Sequence, residues 1–155
     1  MAPNVFAAPI SELHESVSTM LDNLAFIEKE VTSLELMDDL RNEIVAVCQR
    51  FGWTLYDVRK EVYILVDKLG MRPDEEPFDP NVVNPDPRAT MGLIECWIAE
   101  EAQAMHTLVT KLWALAEKNE SLGIVNVLVT ESAANVLNAQ VRLKEALSSI
   151  SAQLR

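Results

Sequence analysis

Among the 155 residues, four kinds of side chain can do more than pack: carboxylates spaced in pairs, two histidines, two cysteines and three tryptophans. Glu12-x-x-Glu15 is followed, nineteen residues on, by Glu35-x-x-Asp38. A three-residue spacing sets both acids of a pair on one helix face, where they can share a divalent cation. Asp57 and Glu61, one turn apart, offer the same geometry. His106 falls on the polar stripe of an apolar-periodic stretch with Glu95, Gln103, Thr110 and Glu117, an exposed position from which a ring nitrogen can accept a group. Cys48 and Cys96 form no C-x-x-C and sit in apolar surroundings (Ala-Val-Cys-Gln and Ile-Glu-Cys-Trp). They read as small, buried, reduced side chains, without support for a disulfide or zinc. Nucleophilic catalysis has no footing, because the chain has no glycine-framed serine, no glycine-rich phosphate loop, and no histidine close to either cysteine in sequence.

Three partial resemblances follow from these residues. The four acids, written E-x-x-E…E-x-x-D, resemble the magnesium site of the all-α nucleotide pyrophosphohydrolases of the MazG and dimeric dUTPase type, where the pairs converge from adjacent antiparallel helices. Here both pairs fall on one heptad-periodic stretch, which places Glu15 and Glu35 about 30 Å apart, too far for one metal cluster. His106-x-Leu108-x-Thr110-x-Leu112 resembles the H-box of histidine-kinase dimerisation helices, and His106-Thr107-Leu108 is similar to monomeric phosphotransfer domains. Both resemblances imply a phospho-accepting His106 with the small Thr110 one turn on. The chain departs from those patterns at Thr107, which is not acidic, at Lys111 in place of proline, and at Val109-Thr110 in place of Lys-Gly. The third resemblance is to ferritin-like bundles in overall organisation. Their Glu-x-x-His pairs are missing, since His14 follows Ser11 and His106 follows Gln103 at that spacing. No metal ligand set and no cofactor is assigned.

The elements that would hold these residues are helices. Five of the seven prolines lie in residues 73–88, PDEEPFDPNVVNPDPR, and the four glycines are Gly52, Gly70, Gly92 and Gly123. Between these breaks apolar residues recur at helical spacing. Leu13, Val17, Met20, Leu24, Ile27, Val31 and Leu34 step 4-3-4-3-4-3, a heptad seam with Ser11 as its expected N-cap. The seam breaks at Asp38 and restarts as Leu40, Ile44, Val47 and Phe51. Thr54 is expected to cap a further stretch, Leu55, Val58, Val62, Leu65 and Leu69, joined to the preceding one in a single rod kinked at Gly52-Trp53-Thr54. Tyr63, Ile64 and Val66 add apolar sides and suggest a central helix. Residues 89–118 carry two stripes, one of Ile94, Ile98, Met105, Val109, Leu112 and Ala116, the other of Leu93, Trp97, Ala104, Leu108 and Leu115. The last helix runs from about Ile124 to near Gln153 through Leu128, Leu137, Val141, Leu147 and Ile150.

The expectation is an all-α, single-domain protein over residues 1–155, an up-and-down or crossover four-helix bundle of two long hairpins, 10–70 and 89–154. The connector, 71–88, is long enough to travel the bundle, with Phe78 and Val82-Val83 as anchors.

Charge narrows the partners. The net charge is −11, with 12 acids against 6 bases in residues 1–70, 5 against 2 in 71–90, and 7 against 5 in 91–155. No Lys/Arg cluster exists to meet phosphates, so nucleic acid and anionic membrane surfaces are disfavoured. No apolar run approaches the roughly 18–20 residues of a membrane span, and the N-terminal residues do not read as a secretory signal, so a cytoplasmic location is expected. The reading is a non-enzymatic interaction or assembly protein: an adaptor, a chaperone or an oligomer subunit, expected as a homodimer or larger. Trp97, Met105, Leu108 and Trp113 are its expected contact surface, being residue types favoured at interfaces. The alternatives are phosphotransfer through His106 and a ferritin-like metal bundle.

Overall fold

The computed structural model describes residues 5–33, 38–69, 87–118 and 123–154. It comprises four helices, α1 (Ala7–Ser33), α2 (Asp38–Lys68), α3 (Pro87–Lys118) and α4 (Gly123–Gln153), with no strand among the described residues. Each helix packs on two others, α1 on α2 and α4, and α3 on the same two, so the helices stand at the corners of a square.

Cross-helix contacts fix the direction of every helix. Along α2 and α3, Glu43 meets Lys111, Arg50 and Thr54 meet Glu101, and Lys68 meets Thr90. Residue numbers rise on one helix as they fall on the other, so the pair is antiparallel. Glu12 with Arg142 and Asn23 with Asn135 set α1 against α4 in the same sense, and Glu28 with Gln49 and His14 with Tyr63 do so for α1 and α2. The bundle is therefore up-and-down. The crossover alternative, which needs α2 and α3 parallel, is excluded, because Lys68 Nζ donates to Thr90 Oγ1 at 2.7 Å and the helix ends that the connector joins lie side by side. Most of that connector, including Phe78 and Val82-Val83, falls outside the described residues.

The heptad seam of α1 is buried as the spacing predicts: Leu13, Val17, Met20, Leu24, Ile27 and Val31 all face the core. Leu34 is outside the described residues. Helix α1 starts earlier than expected, because Pro9 sits in its first turn, where the missing N–H has no partner to lose. Ile10 N donates to Phe6 O at 3.0 Å, and Ser11 is an exposed interior residue instead of the cap. Helix α2 runs unbroken through Gly52-Trp53-Thr54, so its two predicted stretches are one helix and Thr54 caps nothing. The Thr54 hydroxyl instead donates to Glu101 of α3. Helix α2 is not central either. Its core side is Leu40, Ile44, Cys48, Phe51, Leu55, Val58, Val62, Leu65 and Val66, while Tyr63 and Ile64 are exposed.

The largest correction is in α4. Its buried residues are Val129, Val136, Leu143 and Ile150, alternating with Ser132, Ala139 and Ala146, plus Ala133 and Leu147. Leu128 and Leu137 are only half-buried and Val141 is exposed. Serine and alanine carry much of the core-facing seam, so the larger apolar residues beside it misdirect a reading by hydrophobicity. Small residues there let backbones approach closely, and α1 makes its most extensive contact with α4 rather than with its hairpin partner α2.

Candidate interaction surface

The four expected contact residues separate in space. Met105 is 0% exposed and Leu108 2%, both in the core with Ile94, Ile98 and Leu112. They fill the bundle and are unavailable as folded-state surface. Trp97 is half-buried against the core, and Trp113 is 53% exposed. The two predicted stripes of α3 thus form one broad core face. Leu93, from the second stripe, points outward.

The residues singled out for chemistry do not converge. Glu12 and Glu15 both face Arg142 of α4, whose Nε lies 2.6 Å from Glu12 Oε1 and whose Nη2 lies 3.5 Å from Glu15 Oε1. This carboxylate pair pushes the guanidinium pKa up still further, the Glu12 hydrogen bond contributing most. Asp38 opens α2 and pairs with Arg41, while Glu35 is outside the described residues. Glu15 and Asp38 belong to opposite ends of the bundle. His14 packs against Tyr63 of α2, ring centroids 5.4 Å apart. His106 is exposed on α3, with Thr110 turned back to donate to the His106 carbonyl at 3.0 Å. Among the described residues no three His, Cys, Asp or Glu side chains are grouped so as to hold a metal ion.

Among the described residues one carboxylate is buried. Glu101 is 4% exposed on α3 and accepts from Arg50 Nε at 3.2 Å and from Thr54 Oγ1 at 3.3 Å. Two donors from α2 satisfy it, which makes it a clasp between these helices. Burial and the nearby Glu28 push the Cys48 thiol up to about 12, so it stays protonated. Cys96, expected to be buried, is exposed, and both cysteines are free thiols.

A groove lies between α1 and α2, on the outside of the bundle. About 540 Å³ in volume, it is bounded on α1 by Ser18, Leu21, Asp22, Ala25 and Glu28, and on α2 by Gln49, Gly52, Trp53, Tyr56 and Arg59. Trp53 is 67% exposed and Tyr56 54%, and Arg59 lies over the Tyr56 ring at 5.7 Å. Phe26, also exposed, is next to Ala25 on α1. Gly52 is deep inside a 31-residue helix, where glycine costs about 1 kcal/mol relative to alanine. A Cβ there would meet nothing within 4 Å, so no neighbour in the chain requires the glycine.

This surface left a faint trace in the sequence. Ser18, Leu21, Ala25 and Glu28 step 3-4-3, and so do Gln49, Gly52, Tyr56 and Arg59. These are second heptad seams beside the buried ones. Glycine, serine and charged residues in them hide the period from a reading based on hydrophobicity.

Comparison with known protein families, with curated proteins and with solved structures finds no match to this chain.

Proposed function

We propose that this chain is a non-enzymatic helical interaction and assembly protein, working by protein–protein contact as an oligomer subunit, adaptor or chaperone. The observation that carries the reading is the outer α1–α2 face. It combines a groove with exposed Trp53 and Tyr56, and large aromatic side chains anchor many protein interfaces. Exposed apolar patches rimmed by polar residues mark contact sites on soluble proteins. On α3, Trp113 is exposed by itself, while Trp97 packs against the core. None of the described helices is long and apolar enough to cross a membrane, and the acidic chain is matched to protein partners more than to nucleic acid.

The test is the native size of the chain at its natural abundance in extracts of cells that make it. The expected result is a particle larger than the 17.3 kDa monomer. Migration as a free monomer, both in extract and after purification, would contradict the assembly reading.

A further inference from the structure

We infer that the outer α1–α2 groove takes a basic segment of a different protein, whose lysine or arginine side chains reach Asp22 and Glu28 and lie against the rings of Trp53 and Tyr56. The inference rests on the interaction reading and names the chemistry of the partner at that face.

The polar contacts between helices set this interface apart from the others. Arg142 of α4 joins Glu12 and Glu15 of α1, and Arg50 and Lys111 join Glu101 and Glu43 across α2 and α3. Arg88 of α3 donates to the Leu154 carbonyl just past the end of α4. Each of these contacts has its cation within the chain. Between α1 and α2 the tie is Glu28 with the uncharged amide of Gln49. Among the described residues, Asp22 and Glu28 have no cation within ion-pair distance. Arg59 is the one cation among the described lining residues, and it lies over the Tyr56 ring at 5.7 Å instead of pairing with either carboxylate.

The groove therefore combines carboxylates that lack a cation with exposed aromatic rings, and both attract the same group. An arginine of the chain itself already rests on Tyr56, the geometry that a partner's guanidinium or ammonium would adopt on Trp53. Ring surface that displaces water around such a cation strengthens its pairing with the nearby carboxylates. A lone small cation would stay largely solvated in a groove open along the bundle surface, whereas a segment presenting several side chains adds contacts along it. Charge also argues against the other occupants. A second copy would bring its own Asp22 and Glu28 and a net charge of −11, and an acidic helix meets the same repulsion. A basic protein is drawn in by that net charge, and the groove carboxylates then fix where it docks.

The test is calorimetric titration of the purified full chain with two synthetic amphipathic peptides of one pattern, one of Leu and Arg, the other of Leu and Glu, at physiological salt. The Leu/Arg peptide is expected to bind and the Leu/Glu peptide not. Asp22→Asn with Glu28→Gln is expected to weaken binding about tenfold or more. Trp53→Ala, and Gly52→Leu, which puts a side chain into the groove, are expected to weaken it as well. Glu100→Gln with Glu117→Gln removes the same charge from exposed positions of α3 and is expected to change the affinity less than about twofold. Circular dichroism checks that each variant keeps its helicity. Equal losses from the two carboxylate pairs would trace the attraction to overall acidity and overturn the inference. So would a Leu/Arg peptide that does not bind, or one that binds Trp53→Ala as well as wild type. A wild type that self-associates in sedimentation and is made monomeric by Trp53→Ala would also overturn it, assigning the face to a second copy. The interaction reading falls separately, only if the chain is also monomeric in native extract.

Discussion

Helix α1 has two neighbours and uses small residues differently against each. Toward α4, Ser16 faces a seam containing Ser132, Ala139 and Ala146, all buried, and the two helices close on each other. Toward α2, the small residues Ser18, Ala25 and Gly52 lie on the outer side, and the result is an open groove. The same residue sizes therefore produce a sealed core on one side of a helix and a vacant surface on the other. The difference lies in which heptad position they occupy. At the inner position small side chains are covered within the chain, and at the outer one only something outside the chain can cover them.

Substitutions on the two sides should behave oppositely. The largest effect is expected in the core. Phe51→Ala, one residue before Gly52 and 0% exposed, should destabilise the chain by about 3–5 kcal/mol, read from the midpoint of urea unfolding. Its exposed counterpart Trp53→Ala should leave that midpoint within about 0.5 kcal/mol in the monomer, as surface changes usually do. A large loss from Trp53→Ala would mean that the groove is part of the core. On the α4 side, Ala139→Leu overfills a closed seam and should cost about 1–3 kcal/mol. Gly92 supplies a control for Gly52. Its Cβ position is also open, but it lines a smaller hollow without aromatic walls. Gly92→Ala should stabilise the helix by up to about 1 kcal/mol and leave the molecular mass of the native species unchanged.

The inner seams of α1 and α2 were legible because Leu, Ile, Val, Met and Phe occupy them at heptad spacing, and hydrophobic periodicity reports such residues directly. The inner seam of α4 was not, since alanine and serine carry half of it. Glycine with a nearby hydroxyl residue suggested a bend at Gly52, and the two stretches on either side of it do form one continuous helix. Trp97, Met105, Leu108 and Trp113 looked alike as interface residues, and only packing could divide them into filled core and open surface. Topology was open for a similar reason. A long connector permits either direction of α3, and the ion pairs between α2 and α3 decide it.

Thiol chemistry sharpens the contrast between inside and outside. Exposed Cys96 should react with iodoacetamide in the native protein, while Cys48 should react only on unfolding. The Cys48 pKa is raised in the fold to about 12 from an unfolded value of 9.0, so the folded state retains a proton that the unfolded state releases. Its contribution to stability is complete below pH 9 and declines as pH rises through the window up to about 12. Cys48→Ala should flatten that alkaline decline, measurable as the pH dependence of the urea midpoint. The smallest effect is expected at His106, where His106→Gln should alter neither helicity nor mass. A phosphodonor that labels wild type but not His106→Gln would replace the assembly reading with phosphotransfer.

The most direct test of the account is whether the outer α1–α2 face is covered in the native assembly. In a chain carrying Cys96→Ser, Gln49→Cys puts a thiol on the outer α1–α2 face, and Thr107→Cys puts one on the exposed side of α3. In native extract the Gln49→Cys thiol is predicted to be shielded from a maleimide reagent and to become reactive after purification to the monomer, while Thr107→Cys reacts in both. Equal reactivity of the two thiols in native extract would contradict it.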